Sequence, residues 1–208
     1  MTSASCSVQV LPRKLITSVL ASIMFSACAP AAMMNPPLPM MEGHKNMLGG
    51  FVTGGYPNYF EANMPVSPNA QLWYIRSITP KLNVQVSTFM GLSSLIGAGV
   101  GLQYTFLEQS KFRMGLELQG GYAYGRLSLP AAVALKPSLW LYTAPAAQFA
   151  ATGYMRVPLG LAWQNGPSTL YFESGADFFS SFNGLLSNVP STYATPYVYG
   201  SFGYGRSF

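Results

Sequence analysis

The sequence predicts an all-β fold: an eight-stranded antiparallel up-and-down barrel that crosses a membrane, preceded by a signal peptide and a proline-rich tether. The chain is 50% hydrophobic but only 8% charged, whereas an average soluble domain is about 25% charged. Apolar residues alternate with small or polar ones over runs close to the length of a spanning strand, about 9–11 residues. Short turns and longer connections follow one another along the chain, which is the layout of a membrane barrel.

Residues 1–27 have the layout of a secretory signal peptide. Arg13 and Lys14 precede an apolar segment, residues 15–25, and small residues follow it. A positive flank, a short apolar core and small residues are typical of a signal peptide, and the core is too short to span a bilayer as a helix. Cys6 would leave with this segment, so we expect no disulfide.

The segment Phe25-Ser26-Ala27-Cys28 resembles the lipobox of bacterial lipoproteins, in which the cysteine becomes the lipidated first residue of the mature chain. This resemblance implies lipidation at Cys28, with Phe25 standing where the family usually has Leu. Because no Asp follows the cysteine, it also implies sorting to the outer rather than the inner membrane. The alternative is ordinary cleavage near residues 27–29, which would leave Pro30 directly after the cut.

Residues 28–46 are predicted to form a proline-rich periplasmic tether, because four prolines and several Met and Ala residues favour an extended chain. His44, the single histidine of the sequence, lies here. A lone histidine lacks the partners that catalysis or metal binding requires, so we interpret it as a solvated linker residue.

Eight alternating runs are predicted as strands, at residues 47–56, 70–78, 81–90, 96–107, 111–124, 152–163, 168–179 and 197–208. Short turns are expected at residues 79–80, 108–110 and 164–167. The largest loop is expected at residues 125–151, where the segment Leu139-Trp140-Leu141-Tyr142 offers either an aromatic binding surface or a strand extension in the membrane interface.

The last predicted strand carries mostly apolar side chains at every second position: Val198, Gly200, Phe202, Tyr204, Arg206 and Phe208. This pattern resembles the closing strand of bacterial outer-membrane β-barrels, which typically ends in Phe. The wider resemblance, to small barrels of the OmpA type, covers about residues 47–208. It implies a monomer in outer-membrane lipid, with Phe202, Tyr204 and Phe208 as an assembly signal read by the barrel assembly machinery.

Five charged residues of the predicted strands fall on the polar face, as a lumen requires, because a Lys or Arg on the lipid face costs about 2–4 kcal/mol near the midplane. If the strands on either side of the Asn165-Gly166 turn pair, Arg156 lies opposite Asp177. The inner-face glycines at residues 97, 99 and 101 would leave room for long side chains. We therefore expect a buried ionic network, made of Arg113, Glu117, Arg156, Glu173 and Asp177.

The predicted barrel lacks the residues that most hydrolytic sites need. It contains no His and no Cys, so nucleophilic catalysis has no usual base. Glu173 and Asp177 lie about 13 Å apart along one strand face, too far for a carboxylate pair. The Lys and Arg residues are scattered along the sequence, without the cluster that binds nucleic acid. We expect no enzyme, no cofactor, no metal site and no nucleic-acid partner.

Three functions remain open at this point. The first is a structural or surface-interaction barrel that acts through its extracellular loops. The second is a narrow gated channel, in which the ionic network acts as a gate or a proton path. An open pore is not expected, because an eight-stranded barrel is only just wide enough to be filled by side chains. The third is a soluble lipocalin-like barrel for an apolar ligand, which would turn the apolar face inward and the charges outward.

Overall fold

The computed structural model describes residue 38 and residues 43–55, 68–91, 97–121, 124–149, 153–178 and 197–208. The signal peptide, Cys28, most of the tether 28–46 and the predicted loops 57–69 and 91–95 therefore lie wholly or largely outside the described residues. Among the described residues, no helix is long and apolar enough to cross a membrane. The strands are β1 (Asn46–Gly55), β2 (Asn69–Thr79), β3 (Leu82–Gly91), β4 (Gly97–Glu108), β5 (Phe112–Gly121), β6 (Tyr124–Ser128), β7 (Ala131–Lys136), β8 (Leu139–Thr143), β9 (Ala146–Phe149), β10 (Gly153–Asn165), β11 (Ser168–Phe178) and β12 (Tyr197–Ser207).

All of these strands belong to one antiparallel sheet that closes on itself. Strand β12 pairs with β1 on one side and with β11 on the other, and β11 pairs with β10. Strands β6 and β7 both pair with β5, while β8 and β9 both pair with β10, so each of these pairs acts as one interrupted strand. The described residues thus form a closed barrel of ten strands.

The expected loop 125–151 is a hairpin of the barrel wall, so the prediction of eight strands was wrong. Pro130 and Pro145 interrupt its two arms, because proline has no N–H for the ladder. The ladder continues through their carbonyl groups: Gly115 N donates to Pro130 O (2.8 Å), and Leu129 N donates to Pro145 O (2.9 Å). Each run between a proline and a turn is too short to be recognised alone as a spanning strand.

Side chains alternate between a mostly polar inside and an apolar outside. Leu72 and Leu159 point outward with 63% and 59% of their surface exposed, whereas Glu117 and Arg156 are buried. This facing is opposite to that of a lipocalin-like barrel, so the soluble alternative is wrong. A closed sheet with an apolar outer wall is the form in which strands cross an outer membrane, because every backbone group is bonded within the sheet.

The two ends of the barrel differ. We call the end with the short connections at residues 80–81, 109–111, 137–138 and 166–167 the turn end, and the opposite end the loop end. The strand edges at Asn46 and Ser207 also lie at the turn end. Outward-facing aromatic residues lie near the turn end on four strands, as in an interfacial girdle: Tyr74, Tyr104, Trp163 and Tyr204.

Glycines let the interior aromatic rings lie against the barrel wall. A Cβ atom at Gly160 would overlap the ring of Tyr142, and one at Gly175 would meet Tyr199. The observed role of the glycines at residues 97, 99 and 101 differs from the predicted one. They give space to Phe89, Tyr124 and Gln119 rather than to the ionic side chains.

Candidate functional site in the barrel lumen

The interior has two layers, and each is built by several strands. On β11, Tyr171 lies nearer the turn end than Glu173 and Asp177, and on β2 Trp73 lies nearer the turn end than Gln71. We call the buried aromatic residues Trp73, Trp140, Tyr142 and Tyr171 the aromatic layer. We call the charged and amide residues towards the loop end the polar layer: Gln71, Gln85, Glu117, Gln119, Arg126, Gln148, Arg156, Glu173 and Asp177.

The strongest interaction of the polar layer joins Arg156 to Asp177. The two residues are direct partners in the β10–β11 register, because the Asn165-Gly166 turn fixes that register. Arg156 donates from Nε to Asp177 Oδ1 and from Nη2 to Oδ2, both at 2.7 Å. Bidentate geometry of this kind is the strong form of a charge-assisted hydrogen bond.

Tyr199 and Glu173 extend this pair across β12. The Tyr199 hydroxyl donates to Glu173 Oε1 at 2.9 Å. The guanidinium carbon of Arg156 lies 4.9 Å from the centroid of the Tyr199 ring, a cation–π distance. Four side chains from three adjacent strands therefore form one connected cluster.

Glu117 anchors a second polar cluster on the other side of the barrel. Its Oε2 accepts a hydrogen bond of 2.9 Å from Ser128 Oγ, and Gln119 Nε2 also contacts this carboxylate. Gln119 Nε2 in turn lies 3.3 Å from Gln85 Oε1. Strands β3, β5 and β6 are thus joined by side chains as well as by backbone.

The sequence prediction missed Arg126, which is buried in the polar layer. It lies close enough to Glu173 and Asp177 to interact electrostatically with both. Its strand was assigned to a loop, although the alternation of Tyr124, Arg126 and Ser128 with Gly125 and Leu127 already indicated a strand. Gln148 on β9 was missed for the same reason.

Arg113 lies apart from the predicted network. It forms a salt bridge with Glu108 at the turn end, and both side chains are partly exposed. Arg113 faces the same way as Glu117, but four residues along a strand separate them by about 13 Å. The buried charges of the polar layer are therefore Glu117, Arg126, Arg156, Glu173 and Asp177, among the residues that the structure describes.

The aromatic layer closes the lumen towards the turn end. Tyr171 packs edge-on against Trp73 at 6.2 Å and against Tyr142 at 6.4 Å between ring centroids. Trp140 and Tyr142 are buried here. The expected strand is present as β8. The expectation that its rings form an exposed aromatic surface or lie in the membrane interface was wrong, because β8 turns both inward.

The lumen chemistry consists of fixed charges and amides. No group of His, Cys, Asp and Glu in the described ranges is arranged to hold a metal ion. The side-chain amides of Gln71 and Gln148 are buried and make no hydrogen bond to another described residue. Buried amides are normally hydrogen-bonded, so these two positions suit water or a hydroxyl-bearing solute.

The predicted assembly residues lie on the outer wall. Phe202, Tyr204 and Phe208 are all exposed and alternate with the buried residues Ser201 and Ser207. The Phe202 ring packs against Phe172 of β11, with 5.1 Å between centroids. The backbone of Phe208 pairs with that of Asn46, which joins the two edges of the barrel at the turn end.

No protein-family model matches the sequence, and no curated protein matches it either. Among solved structures, the KdgM porin in complex with disordered oligogalacturonate is similar with a TM-score of 0.49 and 10% identity, over 78% of this chain and 99% of the porin. Ail, the attachment invasion locus protein of Yersinia pestis, is similar with a TM-score of 0.35 and 12% identity, over 81% and 100% of the two chains. Both TM-scores are below 0.5, so the architecture and function of this chain are argued from its own residues and not from these similarities.

The membrane assignment follows from the barrel itself. Its sheet is closed, its outer wall is apolar and an aromatic girdle marks the turn end. The protein is a β-barrel of the bacterial outer membrane. The barrel is not of the eight-stranded OmpA type, because the described residues make ten strands.

Proposed function

We propose that the protein is a non-enzymatic outer-membrane scaffold, whose closed barrel presents its long connections at the cell surface. The observation that carries this proposal is the filled interior. In the polar layer Glu117 is 0% exposed and Arg156 is 1% exposed, and in the aromatic layer Tyr171 is 2% exposed. Side chains that fill the lumen at two levels favour a structural or surface-interaction role over free passage of solutes.

The connections at residues 56–68 and 179–196 are the natural interaction segments in this proposal. The first joins β1 to β2 and the second joins β11 to β12, and these four strands are consecutive in the sheet. The strand ends that these two segments connect therefore lie side by side at the loop end. Binding residues are often carried by loops on a rigid scaffold. Outer-membrane barrels place their longer loops outside the cell.

Complementation of a deletion strain tests this function. The strain is given either the intact chain or a chain in which residues 179–196 are replaced by a Gly-Ser segment of equal length. If the scaffold alone is required, both restore resistance to detergents and large antibiotics. If a surface interaction is required, only the intact chain restores the lost property. If the deletion phenotype were instead reversed by adding the product of a missing reaction, both the scaffold role and the surface-interaction role would be refuted.

A second candidate, a narrow gated channel, is favoured by the two buried amides of Gln71 and Gln148. Their strands, β2 and β9, lie on opposite sides of the ring of ten. Amides at these places suit a hydrated path that the aromatic layer blocks at rest. The double variant Trp140→Ala/Tyr142→Ala, and separately Arg156→Ala, should then raise the conductance of planar bilayers. If both variants are folded and their conductance is unchanged, the channel proposal is rejected and only the scaffold role remains.

Assembly and anchoring complete the proposal. Phe208 is an exposed aromatic residue at the turn end, which supports the proposal that the barrel assembly machinery reads the closing strand. Replacing Phe208 with Ala should lower the yield of heat-modifiable protein in cells while refolding in detergent stays normal. Lipidation at Cys28 is tested by mass spectrometry of the mature N-terminus, where an unmodified N-terminus would reject it.

A further inference from the structure

The fold gathers basic residues that are scattered in the sequence at one end of the barrel. Six exposed Lys and Arg side chains lie at the turn end: Lys45, Arg76, Lys81, Lys111, Lys136 and Arg206. We call this set the basic ring.

The basic ring extends around the circumference. Lys45 and Arg206 lie at the junction of β1 and β12, and Lys81 lies in the connection between β2 and β3. Lys111 belongs to the connection between β4 and β5, and Lys136 ends β7. Three of the four short turns thus carry or adjoin a lysine, which distributes the positive charge over most of this end.

Acidic side chains do not offset this charge in the part of the chain that the structure describes. Glu117, Glu173 and Asp177 are buried in the lumen, towards the other end. Glu108 is at the turn end, but it is engaged by Arg113, which is not a member of the basic ring. The exposed surface of the turn end is therefore strongly positive.

Two members of the ring lie on the outer wall at the depth of the membrane interface. Along β2 the outward positions run from apolar Leu72 through Tyr74 to Arg76. Along β12 they run from Phe202 through Tyr204 to Arg206. This order is that of hydrocarbon, interface and headgroup in a membrane.

Strand β1 alone separates these two arginines. In the strand register, Arg206 pairs with Leu48 and Arg76 pairs with Asn46. Leu48 and Asn46 are two residues apart on β1 and therefore face the same side of the sheet. Because adjacent strands are about 4.8 Å apart, the β2 and β12 backbones lie about 10 Å apart across the wall. Two long side chains at this spacing can reach one phosphate group or two adjacent ones.

We propose that the basic ring, centred on Arg76 and Arg206, binds the phosphate headgroups of anionic phospholipids in the leaflet at the turn end. Guanidinium groups suit phosphate because they donate two parallel hydrogen bonds. Each Lys or Arg near an anionic surface strengthens binding by about fivefold, and salt weakens it. Short turns are periplasmic in outer-membrane barrels, so the leaflet is the one that faces the periplasm. This inference does not depend on the proposed scaffold or channel function.

Native mass spectrometry of the full chain in detergent tests this proposal. The protein is titrated with phosphatidylglycerol or with zwitterionic phosphatidylcholine, and retained lipid is counted. The triple variant Lys45→Gln/Arg76→Gln/Arg206→Gln should bind phosphatidylglycerol about a hundredfold more weakly, because three contributions are lost. Its binding of phosphatidylcholine should be unchanged. The charge-preserving variant Arg76→Lys/Arg206→Lys should keep most of the preference, and heat-modifiability shows that each variant is folded.

Equal retention of the two lipids by the unsubstituted protein would overturn the proposal. So would full phosphatidylglycerol preference in a folded triple variant. Inorganic phosphate, added as a competitor, separates the two sources of the anion. If millimolar phosphate displaces the lipid completely, the site is a free-anion site and the lipid assignment is wrong. If the lipid stays bound, the acyl chains against the outer wall contribute, as the proposal requires.

Discussion

Arg156 on β10 and Asp177 on β11 face each other directly, and two hydrogen bonds of 2.7 Å join the guanidinium to both carboxylate oxygens. Their side chains are 1% and 4% exposed, so solvent hardly reaches the pair. Removing both charged partners from a buried pair is often tolerated, whereas removing one leaves an uncompensated charge. This asymmetry gives the pair its clearest experimental signature.

Replacing Asp177 with Asn should lower the free energy of unfolding by about 3–5 kcal/mol, because Arg156 then remains buried without its carboxylate. The double variant Arg156→Met/Asp177→Leu should lose less than the single one. Urea unfolding in lipid vesicles measures both. Arg113→Gln is the control, since its pair with Glu108 is partly exposed and contributes at most about 1 kcal/mol. A double variant that loses more stability than Asp177→Asn would contradict the pairing.

Replacing Gly160 with Ala should destabilise the barrel by about 1–3 kcal/mol, because the new methyl group would overlap the Tyr142 ring. The double variant Gly160→Ala/Tyr142→Ala should relieve this overlap, although it loses the packing of the ring itself. Gly200→Ala is the matched control, because a Cβ at Gly200 meets no atom within 4 Å. The same unfolding assay applies, and equal effects at residues 160 and 200 would refute the packing of Tyr142 on this glycine.

Replacing Leu159 with Arg should cost about 2–4 kcal/mol in a bilayer, because the new charge would face hydrocarbon. Leu159 is outward and exposed on β10, far from the turn end. Ser138→Arg, in the turn between β7 and β8, should cost about 1 kcal/mol or less for the same added charge. Stability is compared by unfolding in vesicles. A tolerated Arg at residue 159 would mean that this wall does not contact lipid.

A cysteine at residue 138 should report the ten-strand topology in cells. Ser138 lies in a turn-end connection, so Ser138→Cys should resist a membrane-impermeant maleimide until the outer membrane is permeabilised. In the eight-strand prediction the same residue lies in the middle of an extracellular loop and would react at once. Ser187→Cys, between β11 and β12, should react in intact cells, and the unsubstituted chain gives the background. Rapid labelling at residue 138 in intact cells would support the eight-strand prediction instead.

The prediction from sequence was most reliable where one strand could be recognised alone. The run from Lys111 onward shows why: Leu116 and Leu118 alternate with Glu117 and Gln119, and the structure turns the first pair outward and the second pair inward. Period two follows from strand geometry within a few residues, so it needs no knowledge of the neighbours. The Asn165-Gly166 turn likewise indicated the register of β10 and β11, because tight turns leave little choice of pairing.

The prediction failed where a strand is defined by its partners. Pro130 and Pro145 end the local alternation, and only pairing with β5, with β10 and between the two arms of the hairpin shows that the chain continues across the wall. Arg126, Gln148, Trp140 and Tyr142 were misplaced together with this hairpin. Arg113 shows a second limit: its facing was predicted correctly, but its partner Glu108 lies on the neighbouring strand and is set by the β4–β5 pairing.

The sequence by itself determined that this chain forms strands whose side chains alternate between a polar and an apolar face, and that the apolar faces are too extensive to be exposed to water. Composition and period-two alternation can be read from the sequence because they do not depend on which strands pair. The tertiary structure alone decided that ten strands close the described barrel, that an aromatic layer fills its turn end, and that Lys45, Arg76 and Arg206 meet on one rim. The physical reason is that closure is a property of pairing between distant segments, and pairing sets the height and neighbours of every side chain.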